Sequence, residues 1–156
     1  MNTYAPILLA EDDEGDIFLI RRALRSAGLA NPLQIVRNGR EAIQYLDGQG
    51  VYADRTRYPW PSLLLLDLRM PLADGFEVLA WLQRRRRPKD LEVAILSASP
   101  DEADALRATE LGADAFYVKP RAYKDLVEVV RGLHQRLSAL PEIAPWLAPA
   151  RGEARL

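Results

Sequence analysis

The feature of this sequence that most constrains its fold is a regular alternation of short apolar runs with longer helical stretches. Five apolar runs of strand length are each followed by turn residues or charges, at residues 7–10, 33–36, 63–66, 93–96 and 115–118. Helix signals fill the intervals, at residues 16–27, 40–46, 75–86 and 101–111 and from residue 123 onward. Because the runs have no polar face, the pattern predicts an α/β fold in which helices cover both faces of a five-stranded parallel sheet.

The length of the chain, 156 residues, fits one domain. We assign residues 1–140 to the folded domain and residues 141–156 to a C-terminal tail. Three prolines, Pro141, Pro145 and Pro149, prevent a continuous helix in that tail.

Composition narrows the chemistry that this domain can perform. The formal net charge is -1, so there is no electrostatic reason to expect nucleic acid or a membrane surface as a partner. The chain has no Cys and a single His, His134, which excludes thiol nucleophiles and most zinc sites and catalytic triads. No apolar run approaches the ~20 residues that a membrane span needs, and the N-terminus has no secretory signal, so we expect a cytoplasmic protein. Its chemistry must depend on carboxylates.

An acidic run follows the first predicted strand, with five acids in residues 11–16. Asp13 and Glu14 are well placed to cap the helix that begins there, which is the simpler interpretation of those two residues. Glu11 and Asp12 lie at the strand end instead. Crowded carboxylates repel one another, and a divalent cation would relieve that repulsion; we therefore predict that Glu11 and Asp12 bind a metal.

Three further polar side chains follow other predicted strands. Asp67 follows four consecutive leucines, Ser97 follows the fourth run, and Lys119 follows the fifth. Taken singly, Ser97 could cap a helix and Lys119 could be a surface lysine. Ligands of open parallel sheets bind beyond the carboxyl ends of the strands, so we expect these groups to meet there. A carboxylate nucleophile, an oxygen-bound cation, an ammonium and a hydroxyl are the groups that phosphoryl transfer onto Asp67 would need.

Four separated motifs resemble the receiver domain of two-component response regulators, over about residues 7–137. They are Glu11-Asp12, Leu66-Asp67-Leu68-Arg69-Met70-Pro71 with Asp74-Gly75, Ser97-Ala98, and Lys119-Pro120. The resemblance implies a doubly wound, flavodoxin-like sheet with strand order 2-1-3-4-5.

The resemblance also implies roles for the acidic residues and for Arg69. Asp67 would accept the phosphoryl group. Mg²⁺ would be bound directly by Asp12, Asp67 and the main-chain carbonyl of Arg69, and by Glu11 through water.

The remaining implied roles concern Lys119 and the switch residues. Lys119 would pair with the phosphoryl group, and the peptide bond before Pro120 would be cis. Ser97 would be the switch hydroxyl and Phe116 the switch aromatic. These positions hold Ser rather than the usual Thr and Phe rather than Tyr, so Phe116 cannot donate a phenolic hydrogen bond. A core aromatic is the alternative interpretation of Phe116.

The expected function is that of a stand-alone response regulator that accepts a phosphoryl group from a histidine kinase. It is a signalling phosphoacceptor that assists its own phosphorylation and dephosphorylation, not an enzyme with a separate substrate. The residues after the domain are too few for a helix-turn-helix module. The long connection over residues 47–61, with Tyr52 and Tyr58-Pro59-Trp60-Pro61, resembles the small regulators that pair with phytochrome-type kinases.

The last helix and the tail predict a homodimer. One apolar stripe runs along the helix at helical spacing, formed by Leu126, Val129, Val130, Leu133, Leu137 and Leu140. The helix is longer than the sheet requires, so we expect its end, with Ile143, Trp146 and Leu147 of the tail, to pair with a second subunit. Folding of the tail back onto the domain is the alternative.

Two rival functions differ from this prediction. A phosphatase of the haloacid dehalogenase type would need a second acid two residues after Asp67, where this chain has Arg69. A receiver-like module that binds a protein partner without phosphorylation is the other rival, although none of the groups needed for phosphorylation is missing.

Overall fold

The computed structural model describes residues 5–138, which contain five β-strands and five α-helices. The strands are β1 (Ile7–Ala10), β2 (Leu33–Val36), β3 (Leu63–Leu66), β4 (Glu92–Ser97) and β5 (Ala115–Val118). The helices are α1 (Glu14–Ser26), α2 (Gly39–Asp47), α3 (Gly75–Arg84), α4 (Glu102–Glu110) and α5 (Tyr123–Ser138). The predicted alternation is confirmed. β4 extends one residue beyond the prediction at each end, because Glu92 N–H and the Ser97 carbonyl both bond to neighbouring segments.

All strand pairs are parallel, and the sheet has the expected order β2-β1-β3-β4-β5. The central strands β1, β3 and β4 are buried along their whole length, whereas the edge strands β2 and β5 are mostly half-buried. This is the burial expected when helices cover both faces of a parallel sheet.

Each face of the sheet has its own hydrophobic core, because alternate residues of a strand point to opposite faces. Leu63 and Leu65 pack with residues of α1 and α5. Leu64 and Leu66 pack with residues of α2 and α3. The four consecutive leucines of β3 therefore supply both cores.

Helix starts follow from local capping. Asp13, Asn38, Asp74 and Asp101 each accept a hydrogen bond from a backbone N–H in the first turn of α1, α2, α3 and α4. The predicted cap of α1 is thus confirmed for Asp13. Ser97 does not cap α4, because Asp101 does.

The long connection between α2 and β3 is ordered and includes a 3-10 turn at Gly50–Ala53. Tyr45 of α2 contacts Tyr52 and Tyr58 of this segment, with ring centroids 5.0 and 6.0 Å away. Arg55 donates hydrogen bonds to the backbone carbonyls of Leu46 and Tyr58. The segment is therefore attached to the domain by aromatic packing and by one arginine.

In α5 the first part of the predicted stripe packs on the sheet, with Leu126, Val130 and Leu133 buried. His134 is half-buried on the same helix. Leu140 and the tail, with Ile143, Trp146 and Leu147, lie outside the described residues. None of the described helices is long and apolar enough to span a bilayer.

Candidate functional site

The backbone places the expected site residues at one edge of the sheet. Glu11 N–H donates to the carbonyl of Val36 at the end of β2, and Asp67 N–H donates to that of Ala10 at the end of β1, both at 3.0 Å. Lys119 N–H donates to the carbonyl of Ser97 at 2.7 Å. The sheet hydrogen bonding therefore continues one residue past β1, β3 and β5, which fixes where these side chains emerge.

Three of the predicted metal ligands meet at this edge. Glu11, Asp12 and Asp67 each offer a carboxylate oxygen, and these oxygens lie within 4.8 Å of one another. Glu11 and Asp67 are buried, whereas Asp12 is exposed. Oxygen ligands of this kind suit a hard cation such as Mg²⁺, which also keeps some of its water, so one exposed member fits the requirement.

Arg69, the fourth predicted ligand, has its side chain directed elsewhere. Its backbone N–H donates to the Asp67 carboxylate. Its guanidinium pairs with Asp104 of α4 at 2.8 Å. The expected metal contact involves only the main-chain carbonyl of Arg69, so this orientation leaves that expectation standing.

Lys119 lies among the acids as its ammonium partner. Its Nζ is 2.7 Å from Glu11 Oε1, 2.8 Å from Asp16 Oδ2 and 3.7 Å from Asp67 Oδ2. Asp16 was not among the predicted site residues. Its position in the acidic run and in the first turn of α1, directly after β1, is the signal that could have identified it.

Burial and crowding change the acidity of these groups. Burial raises the pKa of Glu11 to about 7, with a further rise from the charge of Asp67 that the hydrogen bond to Lys119 opposes. Burial also raises the pKa of Asp67, while the positive charge of Lys119 and the Arg69 N–H oppose the rise. For Lys119, burial alone would lower the pKa, but hydrogen bonds to Asp16 and Glu11 outweigh it, so the pKa is raised. The positive charge of Lys119 therefore does not fully offset the rise in pKa of Glu11 and Asp67.

The two predicted switch residues lie on neighbouring strands. Ser97 is fully buried, and its hydroxyl accepts a hydrogen bond from Ser99 N–H at 3.1 Å. Phe116 is half-buried and packs against the core on the α2 and α3 side. That packing is also what a core aromatic would show.

The peptide bond before Pro120 differs from the expectation. Residues 5–138 contain no cis peptide bond, so this bond is trans. An X-Pro bond normally favours the trans isomer over the cis isomer by about 0.5–1 kcal/mol.

Two glycines allow the loop between β3 and α3 to close beside Asp67. A Cβ on Gly75 would lie 2.6 Å from the carbonyl oxygen of Asp67, and a Cβ on Gly39 would lie 2.0 Å from that of Ala73. In the same loop Leu72 adopts a φ of 69°, a left-handed conformation that is unusual for leucine.

Comparisons with known proteins agree with this geometry. Residues 7–131 match the family model described as the response regulator receiver domain. Response regulator Rcp1 from a Synechocystis strain is 36% identical over 127 residues, which make up 81% of this chain and 84% of Rcp1.

Solved structures extend the likeness. The phosphorylated cyanobacterial phytochrome response regulator RcpA has a TM-score of 0.76 and 34% identity over 85% of this chain and 93% of that one. The Mn²⁺-bound form of Rcp1 has a TM-score of 0.71 and 35% identity over 84% and 92%. Response regulator RPA3017, in red light signaling of R. palustris, has a TM-score of 0.77 and 30% identity over 89% and 95%.

Receiver domains bind Mg²⁺, and the carboxylate cluster has the donors for it. The family match, the strand order and the residues gathered at the strand ends agree. The chain therefore belongs to the response regulator receiver domain family of two-component systems, and it resembles the phytochrome-associated members.

Proposed function

We propose that this protein is a phosphorylation-operated signalling protein in which Asp67 accepts a phosphoryl group from the phosphohistidine of a sensor kinase. One observation supports this most directly: the Asp67 carboxylate lies at the buried end of β3, beside two other carboxylates and 3.7 Å from the Lys119 ammonium. An oxygen of Asp67 would attack phosphorus as the phosphorus–nitrogen bond of the donor breaks. The displaced histidine nitrogen keeps the electron pair of that bond.

Glu11, Asp12, Asp67 and the carbonyl of Arg69 would hold Mg²⁺ beside this carboxylate. The bound ion supplies positive charge that offsets the phosphoryl oxygens. Lys119 would supply the second positive charge, by turning part of its hydrogen bonding from Glu11 and Asp16 toward the phosphoryl group.

Ser97 and Phe116 would transmit the phosphorylated state to the surface. The hydroxyl of Ser97 accepts from Ser99 N–H through a lone pair and keeps its own proton, which it can donate to a phosphoryl oxygen. Phe116 packs on the face of the sheet toward which α3 and α4 lie, so its displacement would alter a partner-binding surface. The protein assists its own phosphorylation and dephosphorylation and turns over no separate substrate.

A phytochrome-type histidine kinase is the proposed donor. The similar protein RcpA is a phytochrome response regulator, and RPA3017 is a response regulator in red light signaling. The aromatic connection between α2 and β3 is the other supporting feature. A cytoplasmic location of the protein is part of this proposal.

We further propose that residues 1–140 form the receiver domain and that residues 141–156 extend it as a dimer contact. The support is the sequence: the apolar spacing of α5 continues to Leu137 and Leu140, and Trp146 and Leu147 are apolar. Sedimentation of the full chain should give a dimer mass, and Trp146→Ser should shift it toward monomer, whereas Arg151→Ser should not. A monomeric full chain would contradict the dimer.

Intact-protein mass spectrometry tests the central proposal. With Mg²⁺ and acetyl phosphate, the wild type should gain the mass of one phosphoryl group. Asp67→Asn and a chelator should each abolish the gain. Asp125→Asn, which changes an exposed aspartate on α5, should retain it. A folded wild type that stays unmodified with several donors would favour binding without phosphorylation.

The donor proposal needs a separate assay. Phosphoryl transfer from a purified phytochrome-type kinase should be faster than from a histidine kinase with an unrelated sensor. Equal rates, with both kinases autophosphorylated, would contradict the phytochrome pairing and leave the phosphoacceptor role intact.

A further inference from the structure

Arg69 contacts the phosphoacceptor with its backbone and α4 with its side chain. The backbone N–H donates to the Asp67 carboxylate. The guanidinium donates to Asp104 Oδ2 at 2.8 Å, and only 13% of the Asp104 side chain is exposed. One residue thus joins the acceptor carboxylate to the first turn of a helix 35 positions further along the chain.

Helix α4 packs against the domain through fewer buried residues than the other described helices do. Ala108 is its only buried residue, whereas Leu106 is 62% exposed. The guanidinium of Arg107 lies 4.0 Å from the centre of the Phe76 ring and forms a second contact, with α3. A helix with so little buried apolar surface depends on such polar contacts for its position.

We propose that the guanidinium of Arg69 exchanges Asp104 for the phosphoryl group, and that this exchange releases the first turn of α4. This inference rests on phosphorylation of Asp67. It assigns Asp104 the role of a competing anion, which holds the guanidinium on α4 until a stronger anion forms.

Charge favours the exchange. A phosphoryl group adds roughly 1.5 to 2 negative charges, and arginine binds phosphoryl oxygens through two parallel N–H donors. Asp104 offers one carboxylate, in a pair whose arginine side chain is 62% exposed. Because the guanidinium of this pair lies mostly in solvent, its attraction to Asp104 is partly screened, and the phosphoryl group can displace Asp104.

Binding of beryllofluoride, a phosphoryl mimic, in the presence of Mg²⁺ tests the exchange. Asp104→Asn removes the competitor and should tighten mimic binding by about two- to fivefold, the range expected from an exposed ion pair. In an Arg69→Gln background the same substitution should have no effect. Glu102→Gln removes a neighbouring first-turn acid of α4 and should leave the affinity unchanged.

Hydrogen exchange gives a second readout. Mimic binding should speed amide exchange in α4, and Asp104→Asn should produce part of that increase without the mimic.

The possible outcomes distinguish a failure of this inference from a failure of the proposed function. A wild type that binds no mimic would overturn both. Mimic binding with equal affinity in Asp104→Asn and wild type, or an Asp104 effect that persists without Arg69, would overturn the exchange alone. Unchanged exchange in α4 on mimic binding would do the same.

Discussion

Replacing Glu11 by Gln should stabilise the metal-free protein above neutral pH, although Glu11 forms an ion pair with Lys119. The side chain is almost completely buried, and Asp67 lies beside it. Burial is the main reason that the pKa of Glu11 is raised from 4.5 to about 7. Gln keeps the shape of the protonated side chain, and its carbonyl oxygen can still accept from Lys119.

The sign follows from proton binding. Below pH 4.5 the carboxyl is protonated in both folded and unfolded chains. As the pH rises toward 7, the unfolded chain ionises while the folded one keeps its proton, so folding stability falls. A pKa difference of this size corresponds to about 3 kcal/mol once the pH is above 7. The gain from Glu11→Gln should therefore be absent near pH 4, grow with pH and level off at about that value.

Urea unfolding in a chelator, followed by tryptophan fluorescence between pH 4 and 8.5, measures this gain. Glu14→Gln is the matched control, because the hydrogen bond with Arg37 lowers the pKa of that exposed residue and no gain is expected. Saturating Mg²⁺ should stabilise the wild type and shrink the difference. If Glu11→Gln is no more stable than the wild type at pH 8 without metal, the reasoning from burial is refuted.

Four other substitutions test the local architecture. Gly39→Ala should lower the free energy of unfolding by about 1–3 kcal/mol, because its Cβ would collide with a backbone carbonyl, whereas Gly132→Ala should raise it by about 0.5–1 kcal/mol inside α5. Asp13→Ala should cost about 1 kcal/mol by removing the cap of α1. Arg55→Gln should cost about 1–2 kcal/mol, because two backbone carbonyls lose their donor.

Chemical denaturation of each variant measures these changes, and each has an outcome that would contradict it. Equal effects at Gly39 and Gly132 would deny the close approach of α2 to the loop after β3. If Asp13→Ala is as stable as the wild type, solvent must cap α1 equally well. Wild-type stability in Arg55→Gln would show that the aromatic rings alone hold the connection.

The fold and most of the site residues followed from the sequence because their causes are local. Apolar runs without a polar face predict buried parallel strands, and the carboxyl ends of such strands meet at one edge. By this reasoning the sequence alone predicts that Glu11, Asp67, Ser97 and Lys119 lie together. The cap of α1 at Asp13 follows from side-chain chemistry within one turn.

The tertiary structure alone decided which side chains pair with the residues at this edge of the sheet. Lys119 pairs with Asp16, 103 positions away in the chain, and Arg69 pairs with Asp104 rather than with a neighbour of its own loop. Such pairs depend on how helices settle against the sheet and on the rotamers that this packing allows, neither of which is encoded in a short stretch of sequence. The sequence therefore determined which groups lie at the strand ends, and long-range packing determined which side chains they bind.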